Sequence, residues 1–236
     1  MIRIRAFRAP DDIEACEKFI TGHQKLLEIY YGLAQITSNK REWVEDYNTT
    51  VIVVEDPLTQ KIYGGARLQV SSEDNPLPIE TALFKYDKKI ADMVKQDREN
   101  GGTCELCGLW NSKEIAGMGI GSHVLSRVGA AVAAQLPVLS IFVLCAPITA
   151  RMGKRVGAVV ETDLGNNGLF YYPKDDFVAT AMRLRNIYDL THATPQEAEL
   201  IVSLRKNEHQ VLIEKGPKGT YEIEYNLKIP HLNEPV

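Results

Sequence analysis

Alternating apolar and charged residues open the chain, and the spacing of the apolar positions then changes to that of a helix. Residues 2–7 alternate with a period of two, which predicts a β-strand. Residues 9–12 combine a turn, a proline and acidic side chains that favour a helix start, and apolar residues continue at helical spacing over 13–31. The β-branched run 49–55 and the strand-like segment 62–70 flank a turn-rich stretch, which predicts a hairpin.

The middle of the chain alternates helical and strand patterns around a group of glycines. Residues 84–98 have helical spacing and end at a Gly-Gly stop, and residues 103–110 predict the next strand. After the glycine-rich segment 117–121, one apolar stripe predicts an amphipathic helix that ends before Pro137. Residues 138–146 have the composition of a buried strand.

The last third of the chain predicts further helices and strands. A short basic helix over 147–157 is followed by an extended segment over 158–162. We predict helices over 176–188 and 195–207, and a final strand over 221–229. The alternation of strands and helices predicts an α/β (α+β) domain with a mixed sheet.

Composition and charge narrow the class of protein. With 236 residues, 44% hydrophobic and 25% charged, the chain can bury a substantial core, which excludes wholesale disorder. Its 27 Lys and Arg against 31 Asp and Glu give no dominant basic field, so we expect no nucleic-acid partner. The longest apolar stretch is far shorter than a membrane span, and the N-terminus lacks the apolar core of a signal peptide. We therefore expect a soluble, cytoplasmic protein.

Cysteines and histidines give little sign of a metal site. The cysteines are too few and too scattered for a disulfide scaffold. Cys104 and Cys107 form a C-x-x-C pair that could bind zinc or carry redox chemistry, but strand alternation would place them on opposite faces. The other interpretation is two small strand residues. The five histidines are dispersed, and we expect each to be a surface or helix residue. No metal is predicted.

The segment Gly117-Met-Gly-Ile-Gly121 is the most informative feature of the sequence. Three alternate glycines between a strand and a helix allow a sharp turn whose backbone N–H groups face one point. The positive end of the following helix adds to this, so a phosphate or pyrophosphate is the natural ligand. The alternative is a glycine-rich turn without a ligand. The spacing fits neither a P-loop nor a Rossmann site, and we expect the loop at the protein surface.

The elements around this segment resemble the core of the GNAT (Gcn5-related N-acetyltransferase) superfamily. That family's hallmark, Gln/Arg-x-x-Gly-x-Gly/Ala, is matched by residues 116–121, with Ala116 in place of Gln or Arg. The resemblance covers about residues 1–162. It implies a GNAT-like mixed, mostly antiparallel central sheet flanked by helices, with residues 163–236 as a C-terminal extension packed on the same domain.

Two strands also resemble those of the acyl-homoserine-lactone synthases and the related N-acyl amino acid synthases, GNAT relatives that use long acyl thioesters. Their Arg-Leu strand corresponds to Arg67-Leu68, and their Trp-Glu-x-x-Arg-Leu strand corresponds to residues 104–109. Cys104 and Gly108 replace the Trp and the Arg of that pattern. This resemblance implies that Arg67 binds substrate.

The GNAT resemblance also implies which residues hold the acyl donor. Backbone groups of Leu109 and Trp110, on the fourth strand, would contact the pantetheine arm and the thioester oxygen. The pyrophosphate would be bound by the glycine loop and the helix start, that is by Gly117, Met118, Gly119, Ile120, Gly121 and Ser122.

Two side chains are candidates for proton transfer. Glu105 lies on the same strand among Cys, Leu and Gly residues, which should raise the pKa of its carboxyl and make it a general base. The alternative is that Glu105 only pairs with Arg67 across the sheet. Tyr171 could act near the acceptor as an acid or a lid, with packing as its alternative role.

These features favour an enzyme of the N-acyltransferase class. It would transfer an acetyl or longer acyl group from acetyl-CoA, another acyl-CoA or an acyl-carrier protein to an amine of a small molecule or amino acid. The alternative is a non-catalytic GNAT-fold module that binds CoA or regulates another protein, which Ala116 and the lack of a clear acid–base pair suggest. We expect no metal and no membrane partner, and the sequence leaves open whether the protein forms a homodimer.

Overall fold

A mixed sheet with helices on both faces forms the centre of the molecule. The computed structural model describes residues 1–32, 36, 40–230 and 232. The strands in this part of the chain are β1 Ile2–Arg8, β2 Thr49–Asp56, β3 Lys61–Val70, β4 Thr103–Asn111, β5 Ser140–Cys145, β6 Val159–Val160, β7 Leu169–Tyr171, β8 Val178–Leu184, β9 His209–Gly216 and β10 Gly219–Asn226. The α-helices are α1 Ile13–Tyr31, α2 Pro78–Leu83, α3 Lys89–Glu99, α4 Ser122–Val132, α5 Pro147–Arg155 and α6 Pro195–Lys206.

The strands run in the order β6-β8-β5-β4-β3-β2-β1-β10-β9, and β7 also pairs with β8. Among the strands of the described residues, only the pairs β4–β5 and β1–β10 are parallel, and the other pairs are antiparallel. The predicted mixed, mostly antiparallel sheet with flanking helices is confirmed. The strands after residue 162 belong to the same sheet as the earlier ones.

Alternating side chains of β2 show how the helices divide between the two faces of the sheet. Val51 and Val53 pack in one cluster with Phe19 of α1, whereas Ile52 and Val54 pack in another with Val124 of α4. Successive residues of a strand point to opposite faces, so α1 and α4 cover opposite sides of the sheet. In the described part of the chain, none of the helices is long and apolar enough to span a membrane.

The central parallel pair is short, and this positions the site. β4 and β5 pair only where Thr103–Glu105 faces Ser140–Phe142. Beyond that point β5 continues along β8, while β4 continues along β3. The β3–β4 ladder has an irregularity between Gly65 and Arg67, close to Gly108, whose φ of +62° favours glycine. The two central strands therefore separate and leave a wedge between them.

Most predicted elements are confirmed, one is wrong, and one starts at a different residue. The predicted helix over 176–188 is instead strand β8, which pairs with β5, β6 and β7. Its Ala, Met, Arg and Leu residues are good helix formers, but sheet pairing overrides that local preference. The predicted helix over 84–98 starts only at Lys89, because Asp87 ends a turn there and its Oδ1 accepts a hydrogen bond from the Lys89 amide at 3.0 Å. Strand β9 was not predicted at all.

A buried ion network attaches the C-terminal elements to α4. The Nε atom of Arg127 lies 2.6 Å from an oxygen of Glu197 on α6, and its Nη1 lies 2.7 Å from Glu214 on β9. The hydroxyl of Tyr225 on β10 donates a hydrogen bond to the same Glu214 oxygen at 2.7 Å. All four side chains are buried. A buried cation with two carboxylate partners ties α6 and the β9–β10 hairpin to the helix that follows the glycine loop.

Candidate active site

A cavity of about 670 Å³ occupies the wedge between β4 and β5. The C-terminal half of α1, the start of α5 and the segment before β8 close it from the sides. Its walls are mainly apolar, and they include Leu26, Leu27, Leu109, Val143, Ile148 and Phe177. A cavity of this size and polarity fits an apolar chain better than a small polar metabolite.

Glu105 lies where the wedge begins, because it is the last residue of β4 that pairs with β5. Its side chain is 2% exposed and lines the cavity, and its Oε2 accepts a hydrogen bond from the Ile79 amide at 2.6 Å. Burial raises the pKa of Glu105 to about 8, although the Ile79 hydrogen bond and the charge of Arg67 lower it. The raised pKa expected from the sequence is confirmed, and it suits a group that accepts a proton near neutral pH.

A second, polar pocket of about 420 Å³ adjoins this point from the β3 side. Arg67 lies in its wall, 1% exposed, with its guanidinium 4.8 Å from the ring centre of Trp43 and its Nη2 3.1 Å from Oε1 of Gln69. Gln69 is the β3 residue that faces Glu105 across the sheet. Glu105 thus lines the apolar cavity, and its β3 neighbour Gln69 lines the polar pocket. Arg67 is the electrostatic neighbour of Glu105, as the ion-pair alternative for Glu105 also requires.

His23 is a site residue that the sequence analysis did not select. It lies on α1, as a helix residue, but its side chain is 4% exposed and lines the apolar cavity. Its Nδ1 is buried and has no hydrogen-bond partner among the residues that the structure describes. Burial, together with the charge of Arg67, lowers the pKa of His23 to about 4. The only sequence signal was its place on the apolar side of α1, which does not distinguish it from a packed core histidine.

The glycine loop has the backbone that its sequence indicates. Gly117 and Gly119 have φ angles of +84° and +82°, and the loop leads directly into α4. One side of the loop is covered by the β9–β10 turn. The Lys218 amide donates a hydrogen bond to the Gly117 carbonyl at 2.8 Å, and a Cβ at Gly119 would lie 2.8 Å from the Lys215 carbonyl carbon. Residues 117–119 are half-exposed, so the loop lies at the surface as expected, with one side covered by the turn.

The structure brings together only some of the predicted site residues. Glu105 and Leu109 line the cavity with Arg67 next to them, but Trp110 does not line it, because its ring packs under α1 against Gly22. Tyr171 is 62% exposed and lies outside the cavity wall, whereas its neighbour Tyr172 is part of that wall.

Residues 117–122 are also absent from the cavity wall, but α4 connects them to it. Ser126 lines the cavity, and its hydroxyl donates a hydrogen bond to the Ser122 carbonyl at 2.8 Å, one turn earlier. The start of α4 therefore lies one turn from the wedge. A ligand that follows this helix out of the cavity would reach the glycine loop. Among the described residues, no group of three or more His, Cys, Asp and Glu side chains could hold a metal ion.

A sheet whose central strands separate above a strand–glycine loop–helix unit defines the GNAT-like acyltransferase fold, and solved structures confirm this fold for the chain. FeeM, an N-acyl amino acid synthase from uncultured soil microbes, has a TM-score of 0.56 and 14% identity, over 80% of this chain and 98% of that one. BjaI, a CoA-dependent acyl-homoserine lactone synthase, has a TM-score of 0.54 and 12% identity, over 87% and 90%.

Escherichia coli ElaA has a TM-score of 0.53 and 9% identity, over 78% of this chain and 99% of that chain. No protein-family description and no curated protein sequence matches the chain. At these identities the similarity shows the fold.

Proposed function

We propose that the protein is an N-acyltransferase that transfers an acyl group from a CoA thioester to the amine of a small anionic acceptor. The observation that carries this proposal is the position of Glu105. This carboxyl lines an apolar cavity suited to an acyl chain, and Gln69, which faces it from β3, lines a polar pocket suited to an acceptor. FeeM and BjaI, an N-acyl amino acid synthase and a CoA-dependent synthase with the same fold, support the same class of reaction.

The donor in this proposal carries a medium or long acyl chain. An acetyl group would leave most of a 670 Å³ apolar cavity unfilled, whereas each buried methylene of a longer chain adds about 0.8 kcal/mol of binding free energy. An acyl-carrier protein could present the same chain. The glycine loop at the start of α4 favours CoA, since its backbone amides and the helix N-terminus suit a pyrophosphate.

The acceptor in this proposal carries an anionic group beside its amine, as an amino acid does. Arg67 and Lys40 line the polar pocket together with Glu42, and the buried guanidinium of Arg67 is well suited to hold a carboxylate by a charge-assisted hydrogen bond. The acceptor amine would then lie toward Glu105, at the boundary with the apolar cavity. FeeM is an N-acyl amino acid synthase.

The proposed reaction is a direct transfer. The amine nitrogen attacks the thioester carbonyl carbon, a C–N bond forms, and negative charge develops on the carbonyl oxygen. The C–S bond then breaks as the carbonyl re-forms. One proton of the amine passes to Glu105, which returns it to the departing CoA thiolate. In this proposal, backbone N–H groups near Leu109, where β4 has left β5, contact the thioester oxygen.

The test is to incubate the protein with octanoyl-CoA and each of the twenty L-amino acids. A colorimetric thiol reagent measures the release of CoA, and mass spectrometry identifies the product. We expect release of CoA with formation of an N-octanoyl amino acid, and at least about a hundredfold slower turnover in Glu105→Gln. The role of Tyr171 stays a prediction, which Tyr171→Phe tests in the same assay. Tight binding of octanoyl-CoA without transfer to any amine would favour a non-catalytic CoA-binding module instead.

A further inference from the structure

The imidazole of His23 is a polar group without an explanation in a mainly apolar wall. It is surrounded by Phe19, whose ring centre is 6.2 Å away, and by the cavity residues Leu26 and Leu27 of the same helix. Its buried Nδ1 lacks a hydrogen-bond partner among the described residues. A buried polar atom without a partner destabilises a fold, so such atoms are rare and often serve binding or catalysis.

The charge state of His23 follows from its surroundings. Burial and the nearby positive charge of Arg67 on β3 keep the pKa at about 4, and Glu105 on β4 is the acidic group on the facing strand. The ring is therefore neutral at neutral pH. A neutral imidazole has one N–H donor and is a weak proton acceptor when its pKa is low, so it suits hydrogen-bond donation better than general-base catalysis.

The acyl donor offers one partner for that donor group. An unsubstituted acyl chain in the apolar cavity has a single polar atom, the carbonyl oxygen of the thioester. That carbonyl must lie close to Glu105, because the attacking amine gives up its proton there. His23 and Glu105 line the same cavity.

We propose that the imidazole of His23 donates a hydrogen bond to the thioester carbonyl oxygen and stabilises the oxyanion that forms when the amine attacks. This inference rests on the proposed acyl transfer. It makes His23 a catalytic residue supplied by α1, from the face of the sheet opposite α4. Preorganised donors of this kind act strongly because the developing charge is shielded from water.

Two substitutions separate this role from a structural one. His23→Leu removes the donor and also removes the buried nitrogen without a partner, so we expect a melting temperature equal to or above that of the parent. Its kcat with octanoyl-CoA should fall by about a hundredfold, with KM changed by less than about threefold. The turnover rate of His23→Leu should still rise with pH near pH 8, because the ionisation of Glu105 causes that rise. His23→Gln, which keeps an N–H donor, should recover part of the loss, and the exposed His192→Gln is the control. An unchanged kcat in His23→Leu would overturn the inference while leaving the acyltransferase proposal intact.

A second measurement needs no turnover. The probe is the ketone analogue of octanoyl-CoA, in which a methylene replaces the sulfur, added to protein with ¹⁵N-labelled histidines. We expect the ring ¹⁵N resonances that are missing in His23→Leu, detected through the carbon-bound ring protons, to shift on saturation, while those of the exposed His192 stay in place. Saturable binding without a change in the His23 resonance would refute the hydrogen bond. Failure of the analogue to bind would overturn the proposed function and this inference together.

Discussion

Replacing Glu105 by glutamine tests both the burial of this carboxyl and its role. Glutamine has nearly the same shape, and its Oε1 can still accept the hydrogen bond that the Ile79 amide donates to Glu105 at 2.6 Å. The substitution therefore removes a titratable group and little packing. The effect on stability should come from ionisation alone.

The size of that effect follows from the pKa. Burial raises the pKa of Glu105 from 4.5 to about 8, so folding favours the protonated carboxyl. Its stabilising contribution is fully present below about pH 4.5 and is lost as the pH rises through about 8. At about 1.4 kcal/mol per pH unit, this interval corresponds to about 5 kcal/mol. Relative to the parent, Glu105→Gln should gain stability steadily from pH 5 to pH 8 and then level off.

Urea unfolding followed by circular dichroism at pH 5, 7 and 9 measures this difference. The exposed Glu199→Gln serves as the control, and its difference from the parent should not change with pH. In parallel, kcat of the parent should rise with pH to a plateau above about 8, and Glu105→Gln should lose that rise along with most of its activity. A free-energy difference that stays flat from pH 5 to pH 9 would refute the burial of an ionisable Glu105.

Three further substitutions test other parts of the structure. Arg127→Met leaves the buried Glu214 without this cation, whereas Glu197 keeps the partly exposed Arg155 at 3.2 Å. The free energy of unfolding in urea should fall by about 3–5 kcal/mol, and a loss below about 1 kcal/mol would contradict the role of the network. Gly119→Ala should lower both the stability and the CoA affinity measured by calorimetry, because its Cβ would lie 2.8 Å from the Lys215 backbone. The control Gly32→Ala, at a φ of +61° with open space around it, should lower the free energy of unfolding by about 1 kcal/mol and bind CoA as the parent does. Leu26→Trp narrows the cavity, so kcat/KM for octanoyl-CoA should fall about tenfold more than for acetyl-CoA; equal losses would argue against an acyl site there.

Local sequence patterns predicted those elements whose conformation is determined by neighbouring residues in the chain. The glycines at 117, 119 and 121 followed by an apolar stripe predict a loop and helix, and the structure has both, with positive φ at the first two. The β-branched run 49–55, the turn-rich stretch after it and the strand-like segment 62–70 predict the β2–β3 hairpin, which the structure has. The raised pKa of Glu105 could also be predicted, because its strand neighbours are apolar or small.

Features that depend on distant parts of the chain could not be predicted in this way. Val178–Leu184 has a helix-compatible composition, and its pairing with β5 decides that it is a strand. The cavity exists because β4 and β5 stop pairing after Glu105. The sequence of one strand alone does not show where its pairing with another strand ends. His23 differs from a packed core histidine only because it lines the cavity that the separation of β4 and β5 creates. The packing of the β9–β10 turn on Gly119 joins residues almost one hundred positions apart.

The central claim is that the wedge between β4 and β5 holds the acyl thioester, and a crystal structure with the ketone analogue of octanoyl-CoA tests it most directly. We expect the octanoyl chain in the apolar cavity, the ketone oxygen within hydrogen-bond distance of His23 and of the β4 backbone near Leu109, and the pyrophosphate at Gly117–Gly121. An analogue bound with its chain outside the wedge, or bound without any contact to the glycine loop, would contradict the claim.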